Sequence, residues 1–206
     1  MKPVAIIDYS TGNIDSVFRA VEECGGNPIV TRDEKEIAKS NYIILPGVGS
    51  FNDAMSKLHD HSLDKIIKEQ VLEKHIPFLG ICLGMQLMAT KGTEGGDTDG
   101  LGLIDGTVRE FEPNSSSIRI PHVGWNEVCY NHRDNWIFNN IPNNKDFYFV
   151  HSYYFDVLND NEILAKTPYC GNFPSVIGKD LIWGAQFHPE KSQVVGFQFL
   201  RNFLSI

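Results

Sequence analysis

Basic charge is in short supply in this chain. Lysine and arginine number 18 against 26 aspartates and glutamates, for a formal net charge of −8. No basic cluster is denser than Lys65-Ile66-Ile67-Lys68. A nucleic-acid partner is not expected, because neutralising phosphates takes a basic face. Long apolar runs are missing too. The residues up to Asp8 hold too short an apolar stretch for a signal peptide, and no uninterrupted segment reaches membrane-spanning length. The expectation is a cytoplasmic chain with no membrane partner.

Cysteine is sparse, at Cys24, Cys82, Cys129 and Cys170. No two form C-x-x-C, which argues against a structural zinc site, and a reducing compartment leaves the thiols free. Phosphate-binding fingerprints are absent. No Gly-Lys-Ser/Thr follows the glycines after Pro46, and Ser10-Thr11-Gly12-Asn13 lacks G-x-G-x-x-G. No metal and no cofactor are expected. There is no repeat, coiled coil or low-complexity linker, and 206 residues suffice for a single domain, 1–206, with a full core.

What is present in the first half is alternation of short apolar strands with helices. Strands are expected at 4–7, 28–30, 42–45 and 77–81, with the third ended by Pro46-Gly47. Helices are expected at 14–24, capped by Asn13 and closed by Gly25-Gly26, and at 33–39, 52–58 and 63–74. Such alternation predicts an α/β fold with a central, mostly parallel sheet covered on both faces. Residues 91–100 and 113–117 read as polar loops. Residues 107–111, 125–130, 147–155, 163–167 and 176–177 read as β pieces, hairpins added to that sheet. A last apolar strand, 181–187, and an amphipathic helix, 196–204, close the pattern.

The chemistry concentrates at Gly80-Ile81-Cys82-Leu83-Gly84, between an apolar run and a helix-like segment. This is the strand–turn–helix layout of G-x-S-x-G, with sulfur in place of oxygen. A cysteine nucleophile needs a base, and the base needs an orienting group. His188-Pro189-Glu190, directly after the last apolar strand, supplies both. In an extended segment residues i and i+2 point the same way, so Glu190 can orient the imidazole while its other nitrogen faces the thiol and favours the thiolate. The pairing of an elbow cysteine with a strand-end His-x-Glu is much rarer than either alone. An oxyanion hole requires two N–H donors. Leu83 at the helix start offers one. The loop of Gly47, Val48 and Gly49 offers the other, at Val48. Cys24, Cys129 and Cys170 read as small, mostly buried apolar residues. His59, His61, His75 and His132 sit in polar stretches, and His122 and His151 read as structural.

These motifs resemble the class I, triad-type glutamine amidotransferases, and the similarity spans the whole chain. Gly80 to Gly84 with Met85-Gln86 is similar to that family's nucleophile motif, and Phe187-His188-Pro189-Glu190 to its His-x-Glu motif. The resemblance implies a flavodoxin-like amidotransferase fold and glutamine hydrolysis. Cys82 attacks the side-chain amide, His188 protonates the departing ammonia, and water cleaves a glutamyl thioester. Gln86, Ser152 and Tyr153 would help hold L-glutamine.

Asp8-Tyr9, Gly12-Asn13 and Pro46-Gly47-Val48-Gly49-Ser50-Phe51 look like the glutaminase subunits of imidazole glycerol phosphate synthases. So do Pro121-His122-Val123-Gly124-Trp125-Asn126 and residues 148–154. That resemblance implies a heterodimer with a TIM-barrel cyclase subunit, reached through Asn13 and Lys191. The partner would use the ammonia to make imidazole glycerol phosphate and an aminoimidazole carboxamide ribotide in histidine biosynthesis. A related glutaminase role, feeding surface-sugar amidination, is the alternative. One position departs from the family pattern: Ser10 stands where glycine usually follows Asp-Tyr.

Overall fold

A computed structural model describes residues 2–10, 13–113, 118–130 and 136–206. Thr11 and Gly12 of the first turn, residues 114–117 of the second polar loop, and His132 lie outside the described residues.

The first half alternates as the sequence predicts. It runs β1 (Pro3–Ile7), α1 (Ile14–Glu23), β2 (Asn27–Thr31), α2 (Glu34–Ala38), β3 (Tyr42–Gly47), α3 (Phe51–Asp60) and α4 (Leu63–Lys68), then β4 (Phe78–Cys82) and α5 (Leu83–Gln86). The expected helix over 63–74 is not uniformly α-helical, since it widens into a π-helical turn over Glu69–Glu73. Asp33 caps α2 by accepting from the N–H groups of Lys35 and Glu36. Asn13 stands at the head of α1 without capping it. Its Oδ1 accepts from the Ser16 hydroxyl at 2.9 Å instead.

The second half is β-rich. It holds β5 (Lys91–Gly92), β6 (Thr98–Asp99), β7 (Gly106–Glu110), β8 (His122–Tyr130), β9 (Lys145–His151) and β10 (Tyr153–Val157). Then come β11 (Ile163–Pro168), β12 (Asn172–Lys179), β13 (Ile182–Ala185), a 3-10 turn at Pro189–Lys191 and α6 (Gln193–Phe203).

Among the described residues a nine-stranded sheet runs β2-β1-β3-β4-β13-β12-β11-β8-β9. The pairs from β2 to β13 are parallel, and those from β13 to β9 antiparallel. Its first four strands follow the order 2-1-3-4 of flavodoxin-like folds, whose sites lie beyond the carboxyl ends of the strands. Alternation along β1 divides the core: Ala5 and Ile7 face α3, α4 and α5, while Val4 and Ile6 face α1 and α6.

Not every added strand joins this sheet. β7 and β10 belong to a separate four-stranded sheet, β10-β7-β5-β6, which also draws two short strands from the 91–100 loop. The expected single strand over 147–155 is therefore two. It breaks at Ser152 and changes sheets there, with β9 pairing to β8 and β10 to β7. The expected end of β3 at Leu45 also moves. Pro46 and Gly47 continue the ladder opposite Ile81 and Cys82.

Candidate active site

Cys82 closes β4 with φ 54 and ψ −112, a left-handed turn that a non-glycine residue adopts only at a cost. The turn swings the chain straight into α5. Its two flanking glycines allow the fold to close: a Cβ on Gly84 would lie 1.8 Å from the Leu45 carbonyl oxygen, and one on Gly80 would lie 2.6 Å from the Gly84 oxygen. Strand, elbow and helix pack backbone against backbone, which fixes the direction of the Cys82 Cα–Cβ bond.

Register brings the other groups to it. β3 pairs Gly47 with Cys82, so Val48 and Gly49 emerge on one side of the elbow. β13 pairs Ala185 with Ile81, so residues 186–190 emerge on the other. The His188 backbone is pinned to β9: its N–H donates to Tyr148 O at 2.9 Å, and its carbonyl accepts from the Ser192 hydroxyl at 2.7 Å. The segment is not extended through Glu190. Pro189–Lys191 form a 3-10 turn, and the turn brings the Glu190 carboxylate to 2.8 Å from His188 Nδ1.

His188 and Glu190 are both buried, and the imidazole lies against the Cys82 sulfur. Burial opposes a charged imidazole. The Cys82 sulfur and the Glu190 carboxylate overcome it and push the His188 pKa up to about 10. The site therefore favours a protonated imidazole facing sulfur, a general acid ready for a leaving amine.

A cavity of about 360 Å3 opens in front of the elbow. Among the residues expected to contact substrate, Val48, Gly49, Leu83, Gln86, Ser152 and Tyr153 all line it with Cys82. Leu83 is the first residue of α5, where a backbone N–H has no intrahelical acceptor, and Gly49 has φ 107. Gly47 lies behind the wall, with a Cβ there landing 2.3 Å from the Tyr9 hydroxyl. His188 and Glu190 are not in the cavity wall. Asn13 and Lys191 are outside it, and the Lys191 ammonium sits 5.8 Å over the Tyr148 ring on β9.

Sequence reasoning missed four wall residues: Glu94, Pro121, Val150 and His151. Glu94 comes from the 91–100 loop and accepts the Phe51 N–H at the start of α3 at 2.7 Å. It also missed Gln186, which follows β13 within an apolar run and whose Nε2 is 3.8 Å from Cys82 Sγ. His122 and His151, which the sequence reads as structural, are both buried and form a pair, and His151 also lines the cavity. His122 Nδ1 lies 3.0 Å from His151 Nε2, and His151 Nδ1 lies 2.8 Å from the Tyr153 carbonyl. Burial lowers the pKa of His122 to about 4 and of His151 to about 3, so both are neutral. Cys24, Cys129 and Cys170 are only half-buried, contrary to the expectation of small core residues, and Cys82 alone of the four is buried.

An elbow cysteine backed by a buried His–Glu pair on a flavodoxin-like sheet defines a class of thiol acyl-transfer enzyme. The chain matches the glutamine amidotransferase class-I family over residues 5–205 and belongs to it. It is 44% identical to "Imidazole glycerol phosphate synthase subunit HisH 1" of Campylobacter jejuni, over 97% of this chain and 98% of that one. It is 39% identical to subunit HisH of Leptospira interrogans, over 98% and 100% of the two chains. Identity to subunit HisH of Acinetobacter baylyi is also 39%, over 99% and 98%. The fold alone extends further. PurLQS from Thermotoga maritima superposes with a TM-score of 0.75 at 18% identity, covering 100% of this chain and 99% of that one. The glutaminase domain of Trypanosoma brucei CTPS superposes at 0.69 and 15% identity, covering 100% and 94%.

Proposed function

We propose that this chain, as one amidotransferase domain over 1–206, hydrolyses L-glutamine through a Cys82–His188–Glu190 triad. Its relatives make it the glutamine amidotransferase subunit of an imidazole glycerol phosphate synthase, acting in histidine biosynthesis. The observation that carries the triad is the buried 2.8 Å bond from His188 to Glu190 behind the elbow sulfur.

The sulfur attacks the side-chain carbonyl carbon of glutamine, and the developing oxyanion is met by backbone N–H groups at Leu83 and Val48. His188 gives its proton to the amide nitrogen as the C–N bond breaks, and ammonia leaves. Water then attacks the glutamyl thioester, His188 takes its proton, and the thiolate departs as glutamate is released. Gln86, Ser152 and Tyr153 hold the amino acid in the cavity. No step needs a cofactor.

The ammonia passes to a cyclase subunit of TIM-barrel type in a cytoplasmic heterodimer. A surface beside the cavity supports a docked partner. Val123 and Trp125 on β8 pair in register with Val150 and Tyr148 on edge strand β9, and Val123, Trp125 and Val150 are all exposed. Contiguous apolar surface of this kind marks an interface. Lys191 stands over Tyr148 at its rim.

The test is ammonia release from glutamine by the chain alone and with its cyclase. Strong stimulation by the cyclase and its loss in Cys82→Ala are the expected results. A Cys82→Ala protein that keeps stimulated hydrolysis would sink the triad. Full activity without any partner, on larger γ-glutamyl substrates, would point instead to a stand-alone hydrolase.

A further inference from the structure

Among the described residues Gln186 is the only side chain outside the proposed triad that hydrogen-bonds the elbow sulfur, and it is fully buried. Burying a carboxamide is unfavourable unless its hydrogen bonds are met. Here the side chain has two partners, Gln86 and Cys82. Its position follows from register. Ala185 pairs with Ile81, so the next residue comes level with Cys82.

We propose that Gln186 donates its carboxamide N–H to Cys82 Sγ and so stabilises the thiolate that attacks glutamine. The inference rests on Cys82 being the nucleophile.

A carboxamide can be turned end for end, so the argument needs the polarity of its neighbours. The Tyr153 carbonyl can only accept. Gln86 lies 2.9 Å from it and must therefore present its NH2 end. The second hydrogen of that NH2 group faces Gln186 at 3.0 Å, so Gln186 presents its oxygen to Gln86. Its own NH2 group is then left facing sulfur at 3.8 Å. Turning Gln186 around would set donor against donor at Gln86 and oxygen against sulfur at Cys82.

The anchor of this chain is held twice. The same Tyr153 carbonyl also takes His151 Nδ1–H at 2.8 Å. His151 Nε2 in turn accepts from His122 Nδ1–H at 3.0 Å, and His122 Nε2 accepts from Asn126 at 3.2 Å. Polarity is thus fixed along one hydrogen-bonded path from Asn126 to the reactive sulfur.

The opposing neighbour is the Val150 carbonyl, 3.9 Å from Sγ, which accepts from a thiol and repels a thiolate. Gln186 does the reverse. A charge-assisted hydrogen bond strengthens when its acceptor becomes an anion, so the Gln186 contact is worth more to the thiolate than to the thiol.

The experiment follows the rate of Cys82 alkylation by iodoacetamide against pH in the full chain, read on the Cys82 peptide by mass spectrometry. The titratable groups facing Cys82 are His188, with Glu190 behind it, and Glu94, His151 and Tyr153 around the cavity. None is changed by Gln186→Leu. That variant is expected to raise the pH midpoint of alkylation by about one unit, a roughly tenfold slower reaction at neutral pH. It lowers kcat for glutamine with KM little changed. An unmoved midpoint with a raised KM would mean that Gln186 only props Gln86, and would overturn the proposal. Should Gln186→Leu fail to fold, the unbranched Gln186→Met carries the same expectation. Glutaminase activity surviving Cys82→Ala would instead remove the triad reading on which the proposal rests.

Discussion

His188 Nδ1 lies 2.8 Å from Glu190 Oε1, and the two side chains are almost entirely shut off from solvent. The bond sets the tautomer. With Nδ1–H donating to the carboxylate, Nε2 is the nitrogen left to exchange a proton with sulfur and leaving group in the proposed reaction.

Glu190→Gln keeps the shape and removes the charge that helps hold His188 protonated up to about 10. It also allows an NH2 group to face Nδ1, which forces the imidazole into the reverse tautomer. The expected loss in kcat of cyclase-stimulated glutaminase is on the order of a hundredfold to ten-thousandfold, with KM changing far less. Steady-state kinetics at pH 7.5 measure it, and a loss below tenfold would show that Glu190 does not orient the histidine.

The backbone approach at the elbow makes a sharp contrast between two glycines. A Cβ on Gly84 would lie 1.8 Å from Leu45 O, a main-chain atom of β3 that cannot step aside, whereas Gly171 has open space around its Cβ position and only its φ of 103 to oppose substitution. Gly84→Ala is expected to cost at least about 3 kcal/mol, or to prevent folding, and Gly171→Ala about 1–2 kcal/mol. Urea denaturation of the two variants reads both. Equal losses would mean that the elbow is not packed as tightly as its register implies.

The three residues of the proposed triad were legible in the sequence because Cys82 closes β4 and His188-Pro189-Glu190 follows closely after β13, each within a local motif that reports its own surroundings. Register then did the rest: Gly47 opposite Cys82 and Ala185 opposite Ile81 bring three segments together. What stayed hidden depends on contacts between distant segments. Phe147, Phe149 and His151 are buried along β9, and Phe155 and Val157 along β10, so the buried side keeps to odd positions on both sides of the change of sheet at Ser152. Periodicity reports which face is buried and not which sheet buries it. Gln186 lies inside an apolar run, and nothing local separates it from a solvated glutamine. The His122–His151 pair spans 29 residues of sequence and exists only because β8 and β9 align the two directly.

That pair makes a pH prediction. Burial lowers His122 to about 4 and His151 to about 3, while each takes up a proton near 6.5 when unfolded. The unfolded chain therefore binds more protons as pH falls through 6.5, and stability is lost from there downward until the folded pKa values are reached. Each histidine contributes a slope of up to about 1.4 kcal/mol per pH unit between pH 6 and 5. His122→Leu removes one of the two, so the slope of unfolding free energy over that interval falls by about one proton. Urea melts at pH 6 and pH 5 test this, and an unchanged slope would show that His122 is not buried neutral.

Ser10 has φ 65, a left-handed backbone that a side chain opposes, at the position where the resemblance leads one to expect glycine. Its N–H donates to Asp8 Oδ1 at 2.9 Å, and Asp8 also pairs with Arg32 at 2.6 Å. That turn follows β1 and stands next to Tyr9, whose hydroxyl position is the one a Cβ on Gly47 would meet. The strain of a non-glycine residue there is roughly 1–2 kcal/mol, and a glycine gives back roughly 0.5–1 kcal/mol through the greater freedom of its unfolded chain. Both the N–H bond to Asp8 and the Asp8–Arg32 pair survive Ser10→Gly, because neither uses the serine side chain. The net expectation is a gain of about 0.5–1 kcal/mol, seen as a rise of about 1–4 °C in Tm for a chain of this size. The same preparation is expected to show unchanged cyclase-stimulated kcat, since no atom of Ser10 lines the cavity. A fall in Tm would mean that the serine hydroxyl makes a contact worth more than the backbone strain it accompanies.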